Sequence, residues 1–203
     1  MIKCAKEMRA TAAAGLKGKW GSAILALFVY FLVSFGLSLI LGLIPFLNIL
    51  ASLASLILVV GFQVGLLTML RSGEKVQVGC IFDFFKETRL WGTILLMYLY
   101  VFLWSLLLVV PGIIKGFAYA MTPYILKDNP NMKNNEAIEL SMAMMNGHKW
   151  DLFCLELSFI GWALLCVLTF GIGYLWLIPY MQTSVAAFYE DVKAEYASAP
   201  VAA

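Results

Sequence analysis

Charge is what this chain mostly does without. No Asp, Glu, Lys or Arg occurs between Trp20 and Leu70, from Leu90 to Ile114, or from Leu157 to Tyr189. Charged residues make up 13% of the 203 residues and apolar ones 63%, against about 25% charged in soluble domains. Crossing a bilayer as a helix takes roughly 20 mostly apolar residues. The first stretch therefore holds two crossings, the second at least one, and the third two short ones. Water is excluded as the main solvent, and the chain reads as a polytopic membrane protein. A net charge of +2 is too small to argue for a nucleic-acid partner.

Other absences narrow the chemistry. There is one histidine, His148, so no multi-histidine metal site can form within a chain. The four cysteines show no CxxC or Cys/His spacing, which supports neither a disulfide framework nor a zinc site. No P-loop, dinucleotide fingerprint, zincin motif or Ser-His-Asp set is present. No catalytic residue, metal or cofactor is therefore indicated, and a non-enzymatic role is expected. The N-terminus is basic and then apolar, but its apolar run is too long for a signal peptide and no small-x-small site follows. It reads as an uncleaved signal anchor.

What is present is ordered. Of the 14 Lys and Arg residues, all but Lys115 fall before the first span, between the second and third, between the fourth and fifth, or in the tail. Basic residues collect on the cytoplasmic side of short loops, which places both termini inside after six crossings of a bacterial cytoplasmic membrane. Leu43 to Asn48, Val110-Pro111-Gly112 and Phe170-Gly171-Ile172-Gly173 each interrupt an uncharged stretch, because Pro cannot continue a helix and Gly weakens it. The expected fold is all-α, a helical bundle of about six transmembrane helices arranged as three hairpins. One integral-membrane domain, 1–190, holds hairpins at about 20–70, 91–127 and 152–189, and 191–203 is a short cytoplasmic tail. The fourth span, about 112–127, is short and carries Lys115 and Pro123, leaving it open to a kink or to partial insertion.

A short amphipathic segment precedes each hairpin: the N-terminal residues, 80–88 and 134–147. Such helices commonly lie in the headgroup plane. Each ends at a basic residue close to a Trp: Lys19-Trp20, Arg89-Leu90-Trp91 and Lys149-Trp150. Trp20, Trp91, His148, Lys149 and Trp150 read as interfacial anchors. The chain looks like three degenerate copies of one unit: surface helix, interfacial Trp, outward helix, Pro/Gly turn, inward helix.

The second half carries a distinctive string. It runs from Pro111-Gly112-Ile113-Ile114 through Asn129-Pro130 and Glu136-Ala137, then Ser141, Met144, Gly147 and Lys149. Leu157-Ser158-Phe159-Ile160-Gly161-Trp162, Phe170-Gly171-Ile172-Gly173, Trp176-Leu177-Ile178-Pro179-Tyr180 and Ala187-Phe188-Tyr189 follow. This resembles the bacterial integral-membrane family DUF975 over most of the chain. More distantly, it is similar to the membrane domain attached to some glycerophosphodiester phosphodiesterases, although the phosphodiesterase domain itself has no room here. The resemblance implies a multi-span bacterial membrane protein and carries over no catalytic residue.

Within the spans, Glu156 is the one carboxylate, and charge there is costly enough to mark function or an interface. Gln63 could hydrogen-bond a neighbouring helix. Lys115 can snorkel to the outer surface. Small residues recur at helical spacing: Ser34, Ser38 and Gly42 form one stripe, and Gly61 and Gly65 form a GxxxG. Such stripes let helices pack closely within a chain or along a homodimer seam. The leading expectation is an accessory or interaction module that meets the lipid bilayer and a membrane-protein partner or a second copy of itself. The alternative is a small permease-like protein using Glu156 and Gln63. A polar cavity around Glu156 would favour the alternative, and a solidly packed bundle the first.

Overall fold

The computed structural model describes residues 4–41, 45–86, 88–132 and 134–198. Gly42, the first two residues of the expected break at Leu43 to Asn48 and the last five residues of the tail lie outside them, while 45–48 of that break are helical. The described residues form eleven helices and no strand. These are α1 (Ala5–Leu16), α2 (Trp20–Leu41), α3 (Pro45–Ser72), α4 (Cys80–Lys86), α5 (Thr88–Leu107), α6 (Val109–Tyr119), α7 (Thr122–Asp128), α8 (Asn134–Met144), α9 (Lys149–Leu157), α10 (Ile160–Leu168) and α11 (Tyr174–Ser198). Their order repeats three times as short helix, long helix, returning helix: α1–α2–α3, α4–α5–α6/α7 and α8–α9/α10–α11.

Three stretches are long and apolar enough to cross a membrane: Trp20–Leu41, Leu47–Ser72 and Lys149–Leu168. The sequence pattern had pointed to about six. The shortfall has local causes. The uncharged part of α5 is the shorter Leu90–Leu106. The fourth pass breaks at Ala120–Met121 into α6 and α7, and α6, with 11 residues, spans only about 16 Å. α11 is 25 residues long but acquires Glu190, Asp191, Lys193 and Glu195 in its second half. The turn of the second hairpin also sits earlier than expected. The chain reverses at Leu108 (φ −159°, ψ 137°), and Pro111 lies in the first turn of α6, where a missing N–H costs nothing. Gly112 then lets α6 close on α5, because a Cβ there would meet Ser105 Cα at 2.7 Å. The third turn falls where expected, with Phe170 (φ 51°) and Gly171 (φ 85°) in the left-handed region.

Burial divides the molecule into two layers. Toward the tips, α2, α5, α6 and α10 are bare, with Phe35, Leu39, Phe102, Leu106, Leu164, Leu168 and Phe170 all exposed. Soluble monomers rarely show so large an apolar surface. The other layer is a packed core around α11, whose consecutive residues Ala186, Ala187, Phe188 and Tyr189 are all buried. Burial on every side of a helix means it is surrounded; here α1, α3, α8 and α9 enclose it. The amphipathic helices supply much of this core. Met8, Ala12 and Leu16 of α1, Ile81 of α4, and Ala137, Ile138, Ser141 and Met144 of α8 are buried. Their apolar faces turn to the bundle, and Ser141 Oγ donates to the Ala118 carbonyl of α6 at 2.8 Å.

Candidate functional site

Six helices converge on a cavity of about 240 Å3, and each contributes one polar side chain to its lining: Gln63 from α3, Tyr98 from α5, Tyr119 from α6, Tyr124 from α7, Glu156 from α9 and Gln182 from α11. A second cavity of about 370 Å3 adjoins it and shares Val101, Gly116, Ala120 and Glu156. Two breaks lie beside the site: α6 gives way to α7 at Ala120–Met121, and α9 to α10 at Ser158–Phe159. α11 runs unbroken past Pro179. Glu156 is exposed and sits at the junction of the two cavities. Tyr124 is fully enclosed, its ring stacked on Tyr189 with centroids 5.2 Å apart. Its hydroxyl has no hydrogen-bond partner among the described residues.

The structure thus brings together Glu156 and Gln63, which the sequence singled out. It adds Gln182 and three tyrosines that the sequence reading passed over. Gln182 had a signal, because it is the one other glutamine inside an uncharged stretch. The tyrosines had none, since aromatic residues abound here (14% of the chain) and only packing selects three of them.

Below the cavity, a charged cluster ties α3, α7 and α11. Arg71 donates to both carboxylate oxygens of Asp128 (2.5 and 2.9 Å) and from Nε to Glu190 (2.6 Å). Lys193 Nζ and the Tyr189 hydroxyl donate to Asp128 Oδ2 at 2.5 and 2.7 Å. Burial alone would push the Asp128 carboxyl up; donation from Arg71, Lys193 and Tyr189 outweighs it and holds the group well below the usual carboxylate range. No local pattern announced these partners, which lie 57 to 65 residues from Asp128 in sequence.

The remaining sequence candidates are spread around the bundle. Gly61 and Gly65 receive α4: a Cβ on Gly61 would lie 2.3 Å from the Ile81 carbonyl oxygen, and one on Gly65 2.4 Å from Cys80 Sγ. An element of the same chain therefore occupies the face that a homodimer seam would have used. Burial raises the Cys80 thiol to about 11. Ser34 Oγ is buried without a partner among the described residues, whereas Ser38 is exposed. Trp20 packs near Tyr180 (6.3 Å between centroids), and Trp91 is half-buried against the main core. Trp150 is exposed beside Phe153. Lys149 opens α9 after His148, whose Nδ1 lies 3.4 Å from Asp151 Oδ2. Lys115, expected to reach the outer surface, turns instead toward α8. Its Nζ lies 3.8 Å from Met142 Sδ and 5.2 Å from the Trp104 ring centroid. Desolvated cations favour aromatic faces, and the contact to α8 draws Lys115 toward the layer that holds the other basic residues.

A third cavity, of about 510 Å3, is almost wholly apolar and lies where the start of α2 meets α10 and α11, lined by Trp20, Trp162, Leu165, Trp176, Leu177 and Tyr180. Cys166 and Thr169 also line it, and no charged side chain does.

A family model described as "Protein of unknown function (DUF975)" matches residues 1–115 and 93–196. No curated protein matches the chain, and no solved structure does. Taken with the all-helical fold and the apolar stretches that fit a membrane, the match over nearly the whole length means that this chain belongs to the DUF975 family.

Proposed function

We propose that this protein is a small permease-like solute-binding protein of the bacterial cytoplasmic membrane. It crosses that membrane six times as three hairpins, with both termini inside. The carrying observation is the polar cavity that gathers Gln63 from the first hairpin and Glu156 and Gln182 from the two arms of the third. Gln63 stands eight residues before Arg71, Glu156 seven after Lys149, and Gln182 eight before Glu190. At 1.5 Å per residue each lies about 10–12 Å from the charged end of its helix. That depth falls in the inner half of a hydrocarbon core about 30 Å thick. Solute sites at such depth are commonly built from interrupted helices, and interruptions at Ala120–Met121 and Ser158–Phe159 flank this one. The fourth crossing is then α6 and α7 together, bent at the cavity wall.

The accessory reading asked the amphipathic helices to present a surface for a partner. α1, α4 and α8 instead turn their apolar faces to the bundle, so that reading has less to stand on. Chemistry on the solute is not part of the proposal, because nothing in the cavity pairs a nucleophile with a base.

Gly116 offers the test. It lines both cavities, and a side chain there meets nothing within 4 Å. In a cysteine-free background, Gly116→Cys in native membranes should react with a small polar thiol reagent, while Leu103→Cys, on the bare face of α5, should not. A Gly116→Cys thiol as inert as the Leu103→Cys control would remove the aqueous cavity and this function with it.

A further inference from the structure

Resting on that solute-site reading, we propose that the cavity selects a compact organic cation of the alkylammonium class, held by the Glu156 carboxylate against the Tyr98 ring.

The wall is one-signed. Among the described residues lining the two cavities there is one carboxylate, Glu156, and no Lys, Arg or His. The nearest cation in sequence, Lys115, is engaged by Trp104 and Tyr119 on the α8 side.

The other groups fit an ammonium better than a metal ion. The Gln63 and Gln182 carboxamides and the tyrosine hydroxyls can accept hydrogen bonds from N–H donors. The buried Tyr124 hydroxyl, unpartnered among the described residues, is an acceptor waiting for such a donor. The part-exposed Tyr98 offers ring surface, which attracts alkylated ammonium groups in particular. A divalent ion would seek several carboxylates, and no group of three His, Cys, Asp or Glu gathers among the described residues. Size sets an upper limit. Pockets for drug-sized ligands run from about 300 Å3 upward, so the 240 Å3 chamber suits a small ion or the head of a longer one.

The experiment uses the full chain in nanodiscs, carrying Gly116→Cys in a cysteine-free background, and reads protection of that thiol from the polar reagent. The probes are choline, n-propylammonium, potassium and 3,3-dimethyl-1-butanol, the neutral isostere of choline. At least one of the two ammonium ions should protect, and the neutral alcohol should not. Adding Glu156→Gln should weaken protection at least about tenfold, in line with loss of a charged partner, while Glu156→Asp should retain most of it. Tyr98→Leu should weaken protection and Tyr98→Phe, which keeps the ring, should not; agreement across both pairs separates recognition from misfolding. Equal protection by the neutral alcohol, or by potassium, would overturn the cation class proposed here. So would a reactive thiol that no ammonium ion protects, and in both cases the solute cavity would stand. A thiol that never reacts would instead remove the cavity reading itself.

Discussion

Gly61 and Gly36 stand mid-helix in α3 and α2 and look interchangeable in sequence. A Cβ on Gly61 would lie 2.3 Å from the Ile81 carbonyl oxygen, whereas one on Gly36 meets nothing within 4 Å. Backbone cannot yield as a side-chain tip can, so Gly61→Ala should push α4 off α3 and lower stability by about 1–3 kcal/mol. Gly36→Ala should be neutral or stabilising by about 0.5–1 kcal/mol, through helix propensity. Thermal unfolding of both variants in the same detergent checks this, and a Gly61→Ala protein as stable as the Gly36→Ala protein would mean that α4 does not rest there. Glu156 and Gln63 make a related point. As a carboxylate and a carboxamide in uncharged stretches they could be picked out from sequence, because polarity in an apolar run is conspicuous. Tyr98 and Tyr124 could not, because nothing distinguishes a lining tyrosine from a packing one until its neighbours are known.

Helices add a second kind of specificity, in how their ends are joined. Asp128 at the end of α7 receives Arg71 from α3 and both Tyr189 and Lys193 from α11. Removing its charge leaves those donors facing a weaker acceptor, so Asp128→Asn should cost about 1–3 kcal/mol at pH 7. The pH dependence follows from the depressed acid. Stabilisation by a lowered carboxyl is complete above the ordinary carboxylate range and is lost as pH falls through the folded-state value. Burial opposes the lowering, and the hydrogen bonds from Arg71, Lys193 and Tyr189 overcome it. The gap between wild type and Asp128→Asn should therefore persist at about pH 5 and narrow only in strong acid. Unfolding midpoints measured across that range decide the matter, since a gap that has already closed at pH 5 would mean that the carboxylate is not held in this way. The amphipathic segments belong to this scale as well. Their two-faced pattern was visible in sequence, but the pattern alone is as compatible with a headgroup plane as with a protein neighbour. Ile138 and Ser141 are buried because α5, α6 and α7 happen to lie beside α8.

For the whole molecule the testable quantity is orientation. The proposed arrangement, with both termini inside, puts the Lys75 loop in the cytoplasm and the Phe170 tip outside. An impermeant thiol reagent applied to intact cells should label Phe170→Cys, whose position is almost fully exposed, and spare Lys75→Cys; the opposite result would invert the topology. Composition by itself determined that the protein is helical and suited to a membrane, because a charge-free run leaves the backbone no solvent and forces its hydrogen bonds inward. It also determined roughly where the long helices begin, because interfacial Trp and basic residues mark those points. Tertiary structure decided the rest. At the second turn, Gly112 closes α6 on Ser105, and the fourth apolar stretch is split at Ala120–Met121. The cavity depends on six helices meeting, and the Asp128 cluster on groups 57 to 65 residues apart. Hydrophobic periodicity fixes which face of a helix avoids water. It carries no information about which other face it meets, and in this protein the candidate site is made entirely of such meetings.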